Sequence, residues 1–190
     1  PYGDLRFEGE APLPLAARNP EGVLYMGSFS KVLAPGLRLG FVVAPKSVYG
    51  KLVQAKQAAD LHTPSFNQRV VAEVMKDGFL ARHIPTIRTL YKNQRDAMLA
   101  ALDQEMVNLS VSWTRPVGGM FLWVQLPEGM DAQKLLPLAV ERGMAFVPGA
   151  PFFPGNPQHN CLRLSYVTVP PAQIAQGIAA LAAAIKAYAQ

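Results

Sequence analysis

The run Ser28-Phe29-Ser30-Lys31 places a lone lysine beside two hydroxyls, with apolar Val32, Leu33 and Ala34 on its other side and Arg38 beyond a Pro35-Gly36 break. An amine stripped of part of its water in this way can attack a carbonyl carbon. The segment from Gly27 to Gly40 therefore reads as a Schiff-base site. A phosphate ester takes hydroxyl and backbone N–H donors plus a forked cation, and Ser28, Ser30 and Arg38 supply that set. Lys31 would then face the carbonyl carbon of whatever the phosphate anchors. From composition alone, a turn with a solvated lysine accounts for the same residues equally well. Serine-lysine hydrolase chemistry ranks lower, because no oxyanion-hole signal or second motif accompanies it.

A second arginine bears on chemistry. In Cys161 to Val167 strand alternation puts Leu162, Leu164 and Tyr166 on one face and Arg163 on the other, with Cys161 and Ser165. A buried arginine needs an anionic partner, since burying it unpaired is strongly unfavourable. An exposed edge-strand arginine or an internal salt bridge would give the same pattern. Gly118-Gly119 could admit a substrate close to the backbone, or mark a strand entry or bulge. Trp123, Phe152 and Phe153 read as core or interface, His62, His83 and His159 as surface or satisfied histidines, and Arg82, Arg88 and Arg95 as the solvated face of a helix.

The elements that must position these residues follow from periodicity and breakers. Val23–Met26 and Leu39–Ala44 suit buried strands on either side of the lysine loop. Helices are expected over 46–60, over 65–77 with Phe66, Val70, Val74 and Met75 as its apolar residues, and along a longer stretch from Ile84 to Leu102 with Pro85 in its first turn. Period-two runs then predict strands at 107–113, 118–126 and 161–167. Asp131 caps a helix to about Arg142, and Pro170-Pro171 opens the last one, where Ile174, Ile178, Leu181 and Ile185 recur at helical spacing. The order implies part of an α/β sheet domain, 1–90, joined to a smaller α+β domain, 91–190.

Composition narrows the function classes. The 190 residues are 50% hydrophobic, enough for a core, and carry 18 Lys+Arg against 13 Asp+Glu. The basic residues are scattered, which disfavours nucleic acid and favours a small anionic ligand. One cysteine, Cys161, and three separated histidines give no disulfide and no metal-ligand spacing. No apolar run has membrane-helix length, and the start has no signal-peptide character, so no membrane partner and a cytoplasmic location are expected.

Several segments together resemble fold-type I aminotransferases, most closely the branch with 2-aminoadipate, aromatic and branched-chain amino-acid aminotransferases. They are Pro1-Tyr2-Gly3-Asp4-Leu5-Arg6-Phe7-Glu8-Gly9, the Gly27–Gly40 loop, Gly118-Gly119-Met120-Phe121-Leu122-Trp123, Phe146-Val147-Pro148-Gly149, and Asn160-Cys161-Leu162-Arg163-Leu164-Ser165-Tyr166. The resemblance implies the C-terminal part of a large pyridoxal-phosphate-binding domain plus the small α+β C-terminal domain. It implies pyridoxal 5'-phosphate as cofactor, Lys31 as the Schiff-base lysine and proton shuttle, and Ser28, Arg38 and Ser30 on the phosphate. It further implies Tyr2 on the ring oxygen, Arg163 on the substrate α-carboxylate, an amino acid and a 2-oxo acid (2-oxoglutarate) as substrates, and a homodimer at full length.

In that family the pyridine-binding aspartate stands just before the Pro-Tyr pair, and the phosphate loop, ring-stacking aromatic and ring-oxygen asparagine come earlier still. The chain is therefore expected to be a C-terminal half, with no useful transaminase activity alone and weak cofactor binding. The alternatives are the effector-sensing domain of a transcription regulator and a carbon-sulfur lyase, both on the same scaffold. Tyr2-Gly3-Asp4-Leu5-Arg6 resembles the enzyme version rather than the regulator's.

Overall fold

The computed structural model describes residues 2–188, which divide into two compact units between Arg88 and Thr89. In the N-terminal unit a short helix α1 (Leu15–Arg18) precedes strands β1 (Tyr25–Ser28) and β2 (Gly40–Val43), which pair antiparallel with Ser28 opposite Gly40. Gly40 has no room for a side chain, because a Cβ there would lie 2.8 Å from the Gly27 carbonyl oxygen across the ladder. Helices α2 (Lys46–Asp60) and α3 (Ser65–Met75) follow, and α4 (Phe79–Glu105) runs across the division between the units.

The strands flanking the lysine loop are not buried as their composition predicts. Met26 is 69% exposed and Val43 60%, and α2 has no buried residue. Among the described apolar side chains before Thr89 only Leu5, Val32 and Val71 are buried, apart from Pro45. On α3 it is Val71 that turns inward, while Phe66 faces solvent. A two-stranded ladder covers too little area to bury strands of this apolarity. The start of α4 also differs. The helix begins at Phe79, so Pro85 lies in its interior, where the missing N–H removes one bond to the preceding turn.

The C-terminal unit holds a four-stranded antiparallel sheet in the order β3-β4-β6-β5, from β3 (Ser112–Trp113), β4 (Phe121–Gln125), β5 (Val147–Pro148) and β6 (Cys161–Ser165). Pro148 is tolerated because β5 is an edge. Helix α5 (Ala132–Val140) packs against α6 (Pro171–Tyr188). The Asp131 side chain accepts the Gln133 N–H at 2.8 Å, a cap for α5. Alternation sorts the sheet as expected: Leu122, Val124, Leu162, Leu164 and Tyr166 are buried, as are Ile174, Ile178, Leu181 and Ile185 of α6. Each such aliphatic side chain contributes about 1.5–3 kcal/mol by leaving water.

Residues 107–111 do not form the predicted strand. Asn108 and Ser110 take positive φ of 65° and 52°, which folds the segment into turns despite its alternating Val107, Leu109 and Val111. Among the described residues no helix is long and apolar enough to cross a membrane, and no group of three or more His, Cys, Asp or Glu could hold a metal ion.

Candidate functional site

Ser28 ends β1, and the ladder adds one more bond, Phe29 N–H to the Leu39 carbonyl at 3.1 Å, before the chain opens into residues 29–39. The Phe29 carbonyl accepts the N–H groups of Leu33 (2.9 Å) and Ala34 (3.2 Å), winding one tight turn with half-buried Lys31 inside it. A 3-10 turn over Pro35–Leu37 then delivers Arg38 in the left-handed region, φ 50° and ψ 41°. A non-glycine residue there is uncommon and stores backbone strain. The Arg38 guanidinium folds back and donates to the Pro35 carbonyl at 3.1 Å. From α3, Asn67 donates its amide to the Leu37 carbonyl at 3.0 Å and braces the loop. Nothing in the periodicity of α3 marked Asn67; only a polar residue on a half-buried face could have pointed to it.

The Ser28 hydroxyl oxygen accepts the Ser30 N–H at 3.2 Å, which leaves the hydroxyl proton for a further acceptor. Among the described residues no carboxylate pairs with Lys31 or Arg38. Two cations and a hydroxyl on one loop, with no internal anion, form a donor set suited to a phosphate-bearing carbonyl compound. Tyr2 stands before the 3-10 turn Gly3–Leu5, which is held by Leu5 N–H to the Tyr2 carbonyl (3.0 Å) and by Arg88 donating to the Asp4 carbonyl (2.7 Å). A cavity of about 280 Å³ is lined by Gly3, Asp4, Gly27, Ser28 and Phe41 among others, so the segment after Tyr2 meets the serine end of the loop. Lys31 and Arg38 do not line that cavity. Arg38 faces a separate groove between β2 and α2.

Arg163 belongs to the C-terminal unit, on β6, which has β4 on one side and β5 on the other, so it is not an edge-strand arginine. Trp123 and Val147 lie directly opposite it across the two ladders. No salt bridge satisfies it among the described residues. Its guanidinium carbon instead lies 4.0 Å from the ring centroid of Phe121 and 4.8 Å from that of Phe152. Phe152 in turn meets Trp123 edge-on at 5.8 Å and 81°, and Phe153 lies 6.2 Å from Trp123. Trp123 and the Phe pair, expected in core or interface, instead stand partly exposed around an arginine, a placement foreshadowed only by the aromatics at 121, 123, 152 and 153.

Arg95 departs furthest from its expected place. It is 4% exposed rather than solvated, with Nη1 donating to the Pro116 carbonyl at 2.6 Å and Nε 2.7 Å from the Asp96 carboxylate. Beside it the fully buried Tyr166 donates its hydroxyl to the Gly118 carbonyl at 3.2 Å. Burial pushes the Tyr166 phenol far above its ordinary range, against the pull of Arg95. Gln94, also buried, donates to the Val169 carbonyl at 2.8 Å. The Arg95 and Tyr166 bonds fix the 116–118 segment that leads, through Gly119 at φ +84°, into β4.

The profile of the aminotransferase class I and II family matches residues 2–181, and the chain belongs to that family. It is 50% identical to the 2-aminoadipate transaminase of Thermus thermophilus, covering 97% of this chain and 47% of the relative. It is 46% identical to aromatic-amino-acid aminotransferase 1 of Thermococcus litoralis, covering 98% and 45%. Among solved structures, the α-aminoadipate aminotransferase LysN of Thermus thermophilus, complexed with N-(5'-phosphopyridoxyl)-L-leucine, superposes with a TM-score of 0.90 at 49% identity over 98% of this chain and 48% of that one. The chain thus spans about half the length of these relatives.

Proposed function

We propose that the whole protein is an amino-acid aminotransferase that uses pyridoxal 5'-phosphate and passes the amino group to a 2-oxo acid, with 2-oxoglutarate as acceptor. The observation that carries this reading is the loop of residues 28–38, where Lys31, Arg38 and the Ser28 hydroxyl stand without an internal carboxylate. The family membership and the pyridoxyl-leucine complex of one relative support the choice of cofactor. When bound, pyridoxal phosphate supplies an electron sink for the pair left at the substrate Cα.

Lys31 would hold the cofactor through its Nζ and, once displaced by the substrate amine, the freed amine would take the proton from the substrate Cα and return one. Ser28 and Arg38 bind the phosphate, the arginine by its fork, with Ser30 as a third donor. Tyr2 gives its hydroxyl to the ring oxygen of the cofactor. Arg163 takes the α-carboxylate of the amino acid or 2-oxo acid by two parallel hydrogen bonds, a task a lysine does poorly. The reading includes a homodimer in the cytoplasm, small-molecule substrates only, the C-terminal part of the large domain at 1–90 and the small C-terminal domain at 91–190.

The test is titration of the full-length protein with pyridoxal phosphate, following the visible absorption band and amino transfer from a panel of donors. Lys31→Ala should abolish the band and cut turnover by about 10²–10⁴-fold. Retention of both would refute the assignment. The 190-residue chain alone should bind the cofactor weakly and turn nothing over; tight binding with turnover would refute that part.

A further inference from the structure

Arg163 presents a problem that its own carboxylate role does not solve. A free arginine side chain samples many rotamers, and a bidentate grip needs one of them. Among the described residues no acidic side chain and no hydrogen bond fixes this guanidinium; two aromatic rings approach it instead, Phe121 at 4.0 Å and Phe152 at 4.8 Å. Phe121 sits on β4, opposite Ser165 of β6, one pleat along from the Trp123–Arg163 pair, so sheet register brings its ring to the guanidinium. Phe152 comes from the 3-10 turn Ala150–Phe152 and is 49% exposed.

Ring and carboxylate make different demands on a guanidinium. A ring takes the flat face, where positive charge meets the π cloud, while a carboxylate takes the N–H edge. Both can be satisfied together, whereas an internal carboxylate would compete for the edge. The rings also keep water from the faces, which lowers the local dielectric and strengthens an ion pair formed at the edge.

We propose that Phe121 and Phe152 are positioning residues that hold the Arg163 guanidinium with its N–H edge open, so that the substrate carboxylate meets a preformed fork. This rests on the reading of Arg163 given above. The ordering is then complete before substrate arrives, and the benefit appears in affinity. Phe121 does more of this than Phe152, being closer and held in the sheet.

The experiment uses the full-length holoenzyme with Phe121→Leu, Phe121→Tyr, Phe152→Leu and Arg163→Ala. Each is assayed with an amino acid, its 2-oxo acid, and the matching amine that lacks the α-carboxylate. Phe121→Leu should raise KM for both acids by about tenfold, with kcat within about twofold, and leave the amine unaffected. Phe152→Leu should raise KM about threefold, and Phe121→Tyr, which keeps the ring, should restore near-normal KM. Arg163→Ala should collapse the preference for acid over amine. A readout independent of turnover is the Arg163 Nε–H proton resonance, which should be shifted upfield by the ring current and return downfield in Phe121→Leu.

If Arg163→Ala leaves the acid-to-amine preference intact, the carboxylate reading fails and the proposal with it. If Arg163→Ala collapses that preference while Phe121→Leu and Phe152→Leu keep normal KM, the carboxylate reading stands and the positioning role is overturned. Equal loss of kcat with acid and amine in Phe121→Leu also overturns it, because that is the mark of a merely structural ring.

Discussion

Tyr166→Phe tests how the segment leading into β4 is held. Tyr166 is fully buried and its hydroxyl bonds the Gly118 carbonyl, so the change removes one neutral hydrogen bond and no packing volume. Gly118 is half-buried, so the loss should be near the middle of the usual range, about 1 kcal/mol. For a chain of this size that is a fall of about 2–4 °C in Tm. The pH dependence makes the expectation sharper. Burial raises the folded-state value of Tyr166 above its ordinary value of about 10, so its contribution is complete below that pH and is lost as pH rises further.

In the unfolded state the phenol ionises first, and the wild type should lose about 1 kcal/mol of stability by roughly pH 10.7 through this one group. The phenylalanine variant has no such loss. Its deficit should therefore shrink above pH 10 and change sign near pH 10.7, with every other titrating group common to both proteins. Both tryptophans, Trp113 and Trp123, lie in the C-terminal unit, so urea unfolding followed by tryptophan fluorescence at pH 8, 10 and 11 reports the right part of the molecule. A deficit that stays constant to pH 11 would show that Tyr166 does not titrate as a buried group, and no deficit at pH 8 would show that the bond to Gly118 contributes nothing.

Two further substitutions probe the same unit. Gly149→Ala would set a Cβ 2.7 Å from the Cys161 Cβ and 2.8 Å from the Cys161 carbonyl oxygen, beside the bond from Gly149 N–H to that carbonyl, and should cost about 1–3 kcal/mol by urea unfolding; a neutral result would mean that β5 and β6 separate freely. Asp131→Ala removes the cap of α5 and should cost about 1 kcal/mol, with Asp131→Asn recovering most of it; equal loss in both would assign the effect to charge rather than to the cap.

The sequence disclosed most where local physics and the final environment agree. The helix over 46–60 follows from its helix-forming residues, and the inward faces of β6 and α6 follow from periodicity, because Leu162, Leu164, Ile174 and Ile178 are buried within their own unit. Arg163 was placed on the correct face for the same reason. Arg95 leaves the solvated face that its spacing predicts because helical charge spacing cannot reveal that a neighbouring loop offers a carbonyl, here that of Pro116, to a buried cation. The segment at 107–111 departs from the strand its pattern predicts because alternation of Val107, Leu109 and Val111 says nothing of φ, and Asn108 and Ser110 belong to the residue types that tolerate turns. The exposure of β1 and β2 was illegible because composition reports what a strand is suited to be buried against, not what lies over it in this chain. In the lysine loop the residue types were readable, while the left-handed Arg38 and the Asn67 brace depend on backbone conformation and on a contact far along the chain.

The two rings beside Arg163 differ in how they are mounted. β6 and β4 are interior strands, bonded on both sides, so Arg163 and Phe121 share a frame in which almost any backbone adjustment would disturb a neighbour. Phe152 hangs from a short surface turn, followed by a segment of prolines and glycine at 154–157. One ring is therefore fixed by the sheet, and the other is mounted where the chain tolerates change. Changes within 150–157 can move or replace Phe152 without disturbing the sheet that carries Arg163 and Phe121. If Arg163 holds a substrate carboxylate as proposed, a library confined to that turn is the economical place to vary affinity for substrate acids.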